Sequence, residues 1–214
     1  MMDFTGDPGW CYNFEEHKPM IDSGEFFKML MVFQDLGYAM SASTPGRDEL
    51  TKKKGNARLK GGLVPGHAYS LREVYDVEGT QLVRLRNPWG EYEWDGDWSD
   101  KSSLWTDELR AAVDCKFQEG DGIFFMSAAD FFKHFEDVGI VYHRCCCTWA
   151  EVRHDLDFKD HKDGLLSVVD FDVPFEASGY LTLWQWDERL PGAKKYAQLA
   201  FAVFGPVAAP GEGD

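Results

Sequence analysis

Two neighbouring stretches decide how this chain of 214 residues folds: 62-GLVPGHAYSL-71 and 82-LVRLRNPWGEYEW-94. Both contain alternating apolar and polar residues, which is typical of β-strands, and Gly79 marks a turn between them. Because strands joined by a tight turn lie antiparallel, the start of the first strand and the end of the second meet at one end of the sheet. His67 and Asn87 hold these two positions, so we expect their side chains to lie side by side.

An imidazole next to a carboxamide is a chemically useful pair. If the amide oxygen accepts a hydrogen bond from one ring nitrogen of His67, the other nitrogen is free to take a proton from a nucleophile. Gly66 leaves room beside the imidazole, Pro88 restricts Asn87 to extended conformations, and Trp89 can shield the hydrogen bond from water. The alternative is a structural histidine followed by a turn with a core tryptophan.

These motifs resemble the calpain-type cysteine proteases. The stretches GLVPGHAYSL, VRLRNPWGEYEWDGDWSD and DGIFFMSAADFFKHF occur in that family's order and spacing, and the resemblance covers roughly residues 3–140. It implies an α+β fold, the C-terminal subdomain of a papain-like protease core, in which an antiparallel sheet has flanking helices. The β-type runs after residue 145 then suggest the start of the family's β-sandwich domain, cut short. The predicted domains are therefore 1–144 and 145–214.

The resemblance also implies an activity. His67 matches the family's general base, Asn87 its orienting amide and Trp89 its shielding tryptophan, with Gly66 in support. The implied reaction is calcium-dependent hydrolysis of peptide bonds in protein substrates by a Cys-His-Asn triad.

The sequence departs from the family at the nucleophile. Family members carry it in the first subdomain within a GDCW motif, which this sequence lacks. Cys11 follows a tryptophan instead of preceding one, and no helical pattern follows it. We therefore expect a nucleophile-bearing subdomain upstream or in another chain, and no activity from this chain alone. The alternative is a non-catalytic calpain-like module for binding or scaffolding.

An acidic loop follows Asn87, and oxygen donors on loops suit calcium. The resemblance implies a calcium site formed by Glu93, Asp100, Asp121 and a backbone carbonyl near Glu119. A further family carboxylate falls at the position of Ile123, so one ligand is lost. The alternative is an acidic loop that is simply solvated.

Composition excludes some partners and favours one compartment. The formal net charge of −15 would repel nucleic acid. We expect no secretory signal, since the first residues lack a basic region followed by an apolar run, and no apolar segment of the sequence is long enough to span a bilayer. Five cysteines, three of them consecutive, argue against a disulfide framework and favour a reducing, cytoplasmic location.

Two amphipathic helices complete the sequence-based prediction. The first covers IDSGEFFKMLMVFQDLGYAM, with Ser23 as its N-cap and Gly37 at its end. The second covers SAADFFKHFEDVG, capped by Ser127, with an apolar stripe that includes Phe135 and Val138.

Overall fold

The computed structural model describes residues 7–47, 61–114 and 120–143, together with the single residues Val152 and Leu181. The chain divides into two compact units, Met1–Asp155 and Leu156–Asp214. Nearly all described residues belong to the first unit. The predicted boundary at residue 145 and the predicted β-sandwich lie outside the described residues and stay predictions.

The first unit is built on a six-stranded sheet in which every neighbouring pair is antiparallel. The strand order across it is β1-β6-β2-β3-β4-β5. The strands are β1 Gly9–Asn13, β2 Ala39–Ser43, β3 Ala68–Val77, β4 Thr80–Arg86, β5 Ile123–Ser127 and β6 Asp137–Val141. Together with four helices, this antiparallel sheet confirms the predicted α+β arrangement.

Four helices accompany the sheet within the described residues: α1 Lys18–Asp22, α2 Glu25–Asp35, α3 Asp107–Ala112 and α4 Ala128–His134. Helices α2 and α4 contribute Phe26, Phe27, Leu30 and Phe131 to the main core, all nearly inaccessible to solvent. Burying each such side chain stabilises the fold by about 1.5–3 kcal/mol. No helix of the described ranges has the length and apolar character needed to cross a membrane.

The first predicted helix is two helices. Ser23 ends α1 as its C-cap, and Gly24 is the N-cap of α2 with a φ of 77°. The prediction of Ser23 as N-cap is therefore wrong. The physical reason is the left-handed turn between the helices, a conformation that glycine adopts without the steric cost of a Cβ.

The second predicted helix is shorter than expected. Ser127 is its N-cap as predicted, since its side chain accepts a hydrogen bond from the Asp130 N–H. However, α4 ends at His134, Phe135 has extended backbone angles, and Val138 lies in β6. Strand β6 pairs with β1 on one side and β2 on the other, and this pairing outweighs the helical spacing of its apolar residues.

The predicted hairpin is formed by β3 and β4. Val77 pairs with Thr80, and the two turn residues between them, Glu78 and Gly79, have φ values of 51° and 84°. Turns with two positive φ angles match the twist of antiparallel strands. The open end of this hairpin carries the segments that hold His67 and Asn87.

Candidate active site

His67 and Asn87 are in direct contact at the open end of the hairpin. The His67 Nε2 lies 2.9 Å from the Asn87 Oδ1, and both side chains are buried. The Trp89 N–H also donates to this oxygen, at 3.0 Å. The amide nitrogen of Asn87 donates to the backbone carbonyls of Glu91 and Tyr92. If the amide were flipped, its nitrogen would face the Trp89 N–H, and its oxygen would face two carbonyl oxygens. The neighbouring groups therefore fix which end of the Asn87 amide faces His67.

This orientation decides the protonation of the neutral imidazole. An amide oxygen can only accept, so His67 Nε2 must carry the proton that is shared with Asn87. The Nδ1 atom is then the basic nitrogen. No hydrogen bond to Nδ1 from a described residue is present in the site. The imidazole is thus arranged to accept a proton at Nδ1 while Asn87 holds the opposite nitrogen.

Trp89 covers one side of the imidazole. The two ring centroids are 4.2 Å apart with the planes tilted by 42°, and 44% of Trp89 remains exposed. Tyr69 approaches His67 edge-on at 4.9 Å. A hydrogen bond flanked by aromatic rings lies in a lower local dielectric, which strengthens it. The shielding role of Trp89 itself stays a prediction.

Gly66 precedes the histidine in a conformation that glycine favours. Its φ is 60°, and its N–H donates to the backbone carbonyl of Pro45 at 3.1 Å. A side chain at this position would be strained in the left-handed region. Gly66 therefore contributes a turn that sets the direction of the chain entering His67.

Thr44 and Tyr69 support the histidine and were not found from the sequence. The buried Thr44 hydroxyl accepts from the His67 N–H at 3.0 Å and donates to the Val64 carbonyl at 2.6 Å. The Tyr69 hydroxyl accepts from the Val64 N–H at 2.8 Å, and burial raises the pKa of Tyr69 to about 12. Thr44 bonds to residues 20 and 23 positions away, so no local pattern could have indicated its role.

The backbone of Asn87 is held from a different loop. Its N–H donates to the Gly122 carbonyl at 2.8 Å, and its own carbonyl accepts from the Gly90 N–H at 3.0 Å. A Cβ added to Gly122 would lie only 2.8 Å from the Asn87 carbonyl oxygen and 2.9 Å from the Gly90 Cα. This approach requires glycine at position 122, where φ is also positive at 80°.

Two of the three predicted calcium ligands, Glu93 and Asp121, accept hydrogen bonds from backbone N–H groups. Glu93 Oε1 accepts from the backbone N–H groups of Gly120 and Gly122, and Asp121 Oδ1 accepts from the Ile123 N–H. Among the described residues, no group of three or more His, Cys, Asp or Glu side chains is placed to hold a metal ion. Glu119 lies outside the described residues, and calcium binding stays a prediction.

Cys11 is far from the imidazole. It pairs with Gly139, which pairs with Ser41, which pairs with Ser70 on β3. Three strand spacings of about 4.8 Å each separate Cys11 from Ser70 by about 14 Å, and His67 lies still further along the chain. No proton can pass directly between a thiol and a base at that separation.

The chemistry of Cys11 agrees with its position. Partial burial and the neighbouring carboxylate of Asp137 raise the pKa of the Cys11 thiol. A raised pKa disfavours the thiolate, which is the nucleophilic form. The other four cysteines lie outside the described residues, so the structure places no thiol near His67 within the ranges it describes.

A histidine held at Nε2 by an oriented carboxamide can accept a proton at its other ring nitrogen, Nδ1. In a comparison with known proteins, the family model described as calpain family cysteine protease matches residues 1–142. The chain therefore belongs to the calpain family of cysteine proteases.

Individual relatives show the extent of the similarity. The chain is 36% identical to the calpain-type cysteine protease DEK1 of Arabidopsis thaliana over 149 residues. This aligned region is 67% of this chain and 7% of DEK1. It is 45% identical over 108 residues to calpain clp-4 of Caenorhabditis elegans, and the aligned region is 47% of this chain and 14% of that relative. It is 30% identical over 187 residues to calpain-5 of Mus musculus, and the aligned region is 76% of this chain and 29% of that relative. The match thus spans less than a third of each of these relatives.

Proposed function

We propose that this chain supplies the general base and the orienting amide of a calpain-type cysteine endopeptidase. His67 is the base and Asn87 the orienting residue. The observation that supports this most is the 2.9 Å contact between His67 Nε2 and Asn87 Oδ1. Other hydrogen bonds fix both the oxygen and the nitrogen of that amide. The thiol comes from a nucleophile-bearing subdomain, located upstream or in another chain.

The proposed reaction is covalent catalysis on a peptide bond. Nδ1 of His67 takes the proton of the thiol, and the resulting thiolate attacks the peptide carbonyl. The imidazolium then gives its proton to the leaving amine, which departs and leaves an acyl-enzyme thioester. Water, deprotonated by the imidazole, hydrolyses the thioester and releases the thiol. Throughout, Asn87 accepts from Nε2 and keeps Nδ1 directed at the reacting atoms.

The substrates follow from this chemistry at the level of class only. Proteins provide the peptide bonds, since the family description names its members as proteases. Calcium dependence and a cytoplasmic location are implied by the resemblance and by the composition, and both stay predictions. Cleavage preference depends on contacts from both sides of an active-site cleft.

The decisive test is peptide hydrolysis by the full-length gene product, with His67→Ala and Asn87→Ala compared with the unchanged protein. The exposed Asp97→Asn variant is the control for a substitution near the site. We expect hydrolysis to fall by about 10²-fold or more for His67→Ala, since a positioned base contributes typically that much. Unchanged hydrolysis in this variant would overturn the proposal.

A non-catalytic calpain-like binding or scaffolding module is the second candidate. The position of Cys11, about 14 Å or more from the base by strand spacing, favours it for this chain taken alone. An epoxysuccinyl peptide, which labels activated thiols, distinguishes the two. We expect no labelling of the isolated chain and stoichiometric labelling of the full-length protein. Absence of labelling in both would favour the scaffold.

A further inference from the structure

The Glu93 side chain joins two loops that both contact Asn87. Its Oε1 accepts from the Gly120 N–H at 3.0 Å and from the Gly122 N–H at 2.7 Å. These donors lie 27 and 29 residues further along the chain. Hydrogen bonds to an ionised carboxylate are among the stronger ones in proteins, so Glu93 is a firm anchor for the turn at residues 120–122.

The anchored turn carries the group that holds the Asn87 backbone. Gly122 donates its N–H to Glu93 and accepts the Asn87 N–H at its carbonyl, at 2.8 Å. Gly122 also packs against Gly90 so closely that a Cβ would not fit. The turn is therefore held between Glu93 and Asn87, so a shift of the Glu93 side chain would also shift the backbone of Asn87.

Glu93 also terminates the short segment that fixes the Asn87 amide. The carbonyls of Glu91 and Tyr92 accept from the amide nitrogen, and Glu93 follows them directly. The Glu93 carbonyl lies against Gly62, where a Cβ would overlap with it. One residue thus connects the Asn87 loop to the 120–122 turn through its side chain and to the segment before His67 through its backbone.

These contacts use the carboxylate that the resemblance assigns to calcium. Ile123 offers no ligand, and its N–H is satisfied by Asp121 Oδ1 at 2.8 Å. Among the described residues, no three or more His, Cys, Asp or Glu side chains are grouped so that they could hold a metal ion. Resting on the proposed function of the pair, we propose that Glu93 is a positioning residue. It holds Asn87 in register with His67 through direct hydrogen bonds to the 120–122 turn, without calcium.

The test measures the imidazole of His67 in the intact 214-residue chain by long-range ¹H–¹⁵N correlation NMR, in buffer with a calcium chelator. The unchanged chain is expected to show the Nε2–H tautomer and a protected Nε2 proton. In Glu93→Ala we expect the ratio of aligned to unaligned pairs to fall about tenfold, the effect of losing a hydrogen bond to a charged group. The Nε2 proton then exchanges faster and the tautomers mix.

Two matched variants separate positioning from general destabilisation. Glu93→Gln retains an oxygen that can accept both N–H groups, so we expect it to restore most of the Nε2–H signal. Asp97→Asn removes a charge from the same loop without touching these bonds and is expected to leave the signal unchanged. Far-UV circular dichroism confirms that each variant is folded.

The outcomes distinguish this inference from the proposed function. If the unchanged chain lacks the Nε2–H tautomer, both with chelator and with calcium, the His–Asn pair and the proposed function fail. If the tautomer forms but Glu93→Ala retains it, only the role of Glu93 is overturned. If the tautomer forms only after calcium is added, the ion positions Asn87, and this inference is again overturned. Should Glu93→Ala not fold, Glu93→Gln and the chelator comparison still decide.

Discussion

The two halves of the candidate site are supported in different ways. His67 is held by Thr44 and Tyr69, whose side chains lie in the buried interior next to β2 and β3. Asn87 is held by main-chain groups of two loops, and the half-buried carboxylate of Glu93 holds one of those groups, Gly122. The histidine is thus positioned by the core of the sheet, and its orienting partner by loops.

This difference separates stability from alignment. Removing support on the histidine side should reduce the free energy of unfolding, because buried hydrogen bonds would be lost from the core. Removing support on the asparagine side should mainly misalign the pair, since loops open locally at less cost than a core. The following predictions test that separation.

Asn87→Ala should have the largest effect on alignment. It removes the acceptor of both the His67 Nε2–H and the Trp89 N–H. We expect the neutral imidazole to become a mixture of tautomers, and hydrolysis by the full-length protein to fall about 10²-fold. NMR of the chain and peptide hydrolysis measure the two effects. Asn13→Ala, at the last residue of β1, is the matched control and should leave the His67 signals unchanged. Retention of the Nε2–H tautomer in Asn87→Ala would contradict the assigned pairing.

Tyr69 should make stability depend on pH in the alkaline range. Burial raises the pKa of Tyr69 to about 12 from its usual value of 10.0, so the folded state keeps the phenol protonated at pH values where the unfolded state has lost the proton. The contribution of Tyr69 to the free energy of unfolding is fully present below pH 10 and is lost as the pH rises from 10 to about 12. A shift of two pKa units corresponds to about 3 kcal/mol.

The comparison that isolates this effect is with Tyr69→Phe. Urea unfolding at several pH values from 8 to 12 should show a steeper decline for the unchanged chain than for the variant. The difference between them removes the contribution of lysines and other tyrosines. Parallel declines would show that Tyr69 titrates as it does in the unfolded chain.

Thr44→Val should lower the free energy of unfolding by about 1–3 kcal/mol, because the His67 N–H loses its acceptor and the Val64 carbonyl loses a donor in a buried place. Valine has nearly the same shape, so little packing is lost. Thr44→Ser keeps the hydroxyl and should be closer to the unchanged chain. Urea denaturation measures both variants. Equal stability of Val and Ser variants would mean that the hydroxyl contributes nothing.

The same contrast explains what the sequence could predict. The hairpin was predictable because its alternation and turn lie within twenty residues, and this placed His67 and Asn87 at one end of the sheet. Strands β1, β2 and β6 were not predicted, since they are five residues long and Gly9 pairs with the distant Val141. The support for the pair was equally hidden, because Thr44 and Glu93 bond to residues 20 to 29 positions away.

Calcium should have the smallest effect. Glu93 Oε1 and Asp121 Oδ1 accept backbone hydrogen bonds, and Ile123 stands in place of a carboxylate, so an ion would share these two carboxylates with the backbone and would lack one ligand. Isothermal titration of the chain should show a Kd no tighter than about 10⁻³ M, the weak end of protein calcium sites, and Asp100→Ala should abolish even that binding. Asp97→Asn, in the same loop, should not change it. Tight binding that disappears in Asp100→Ala would instead return Glu93 to the role of a ligand. The loop half of the site would then be assembled by an ion, while the histidine half would still be assembled by the core.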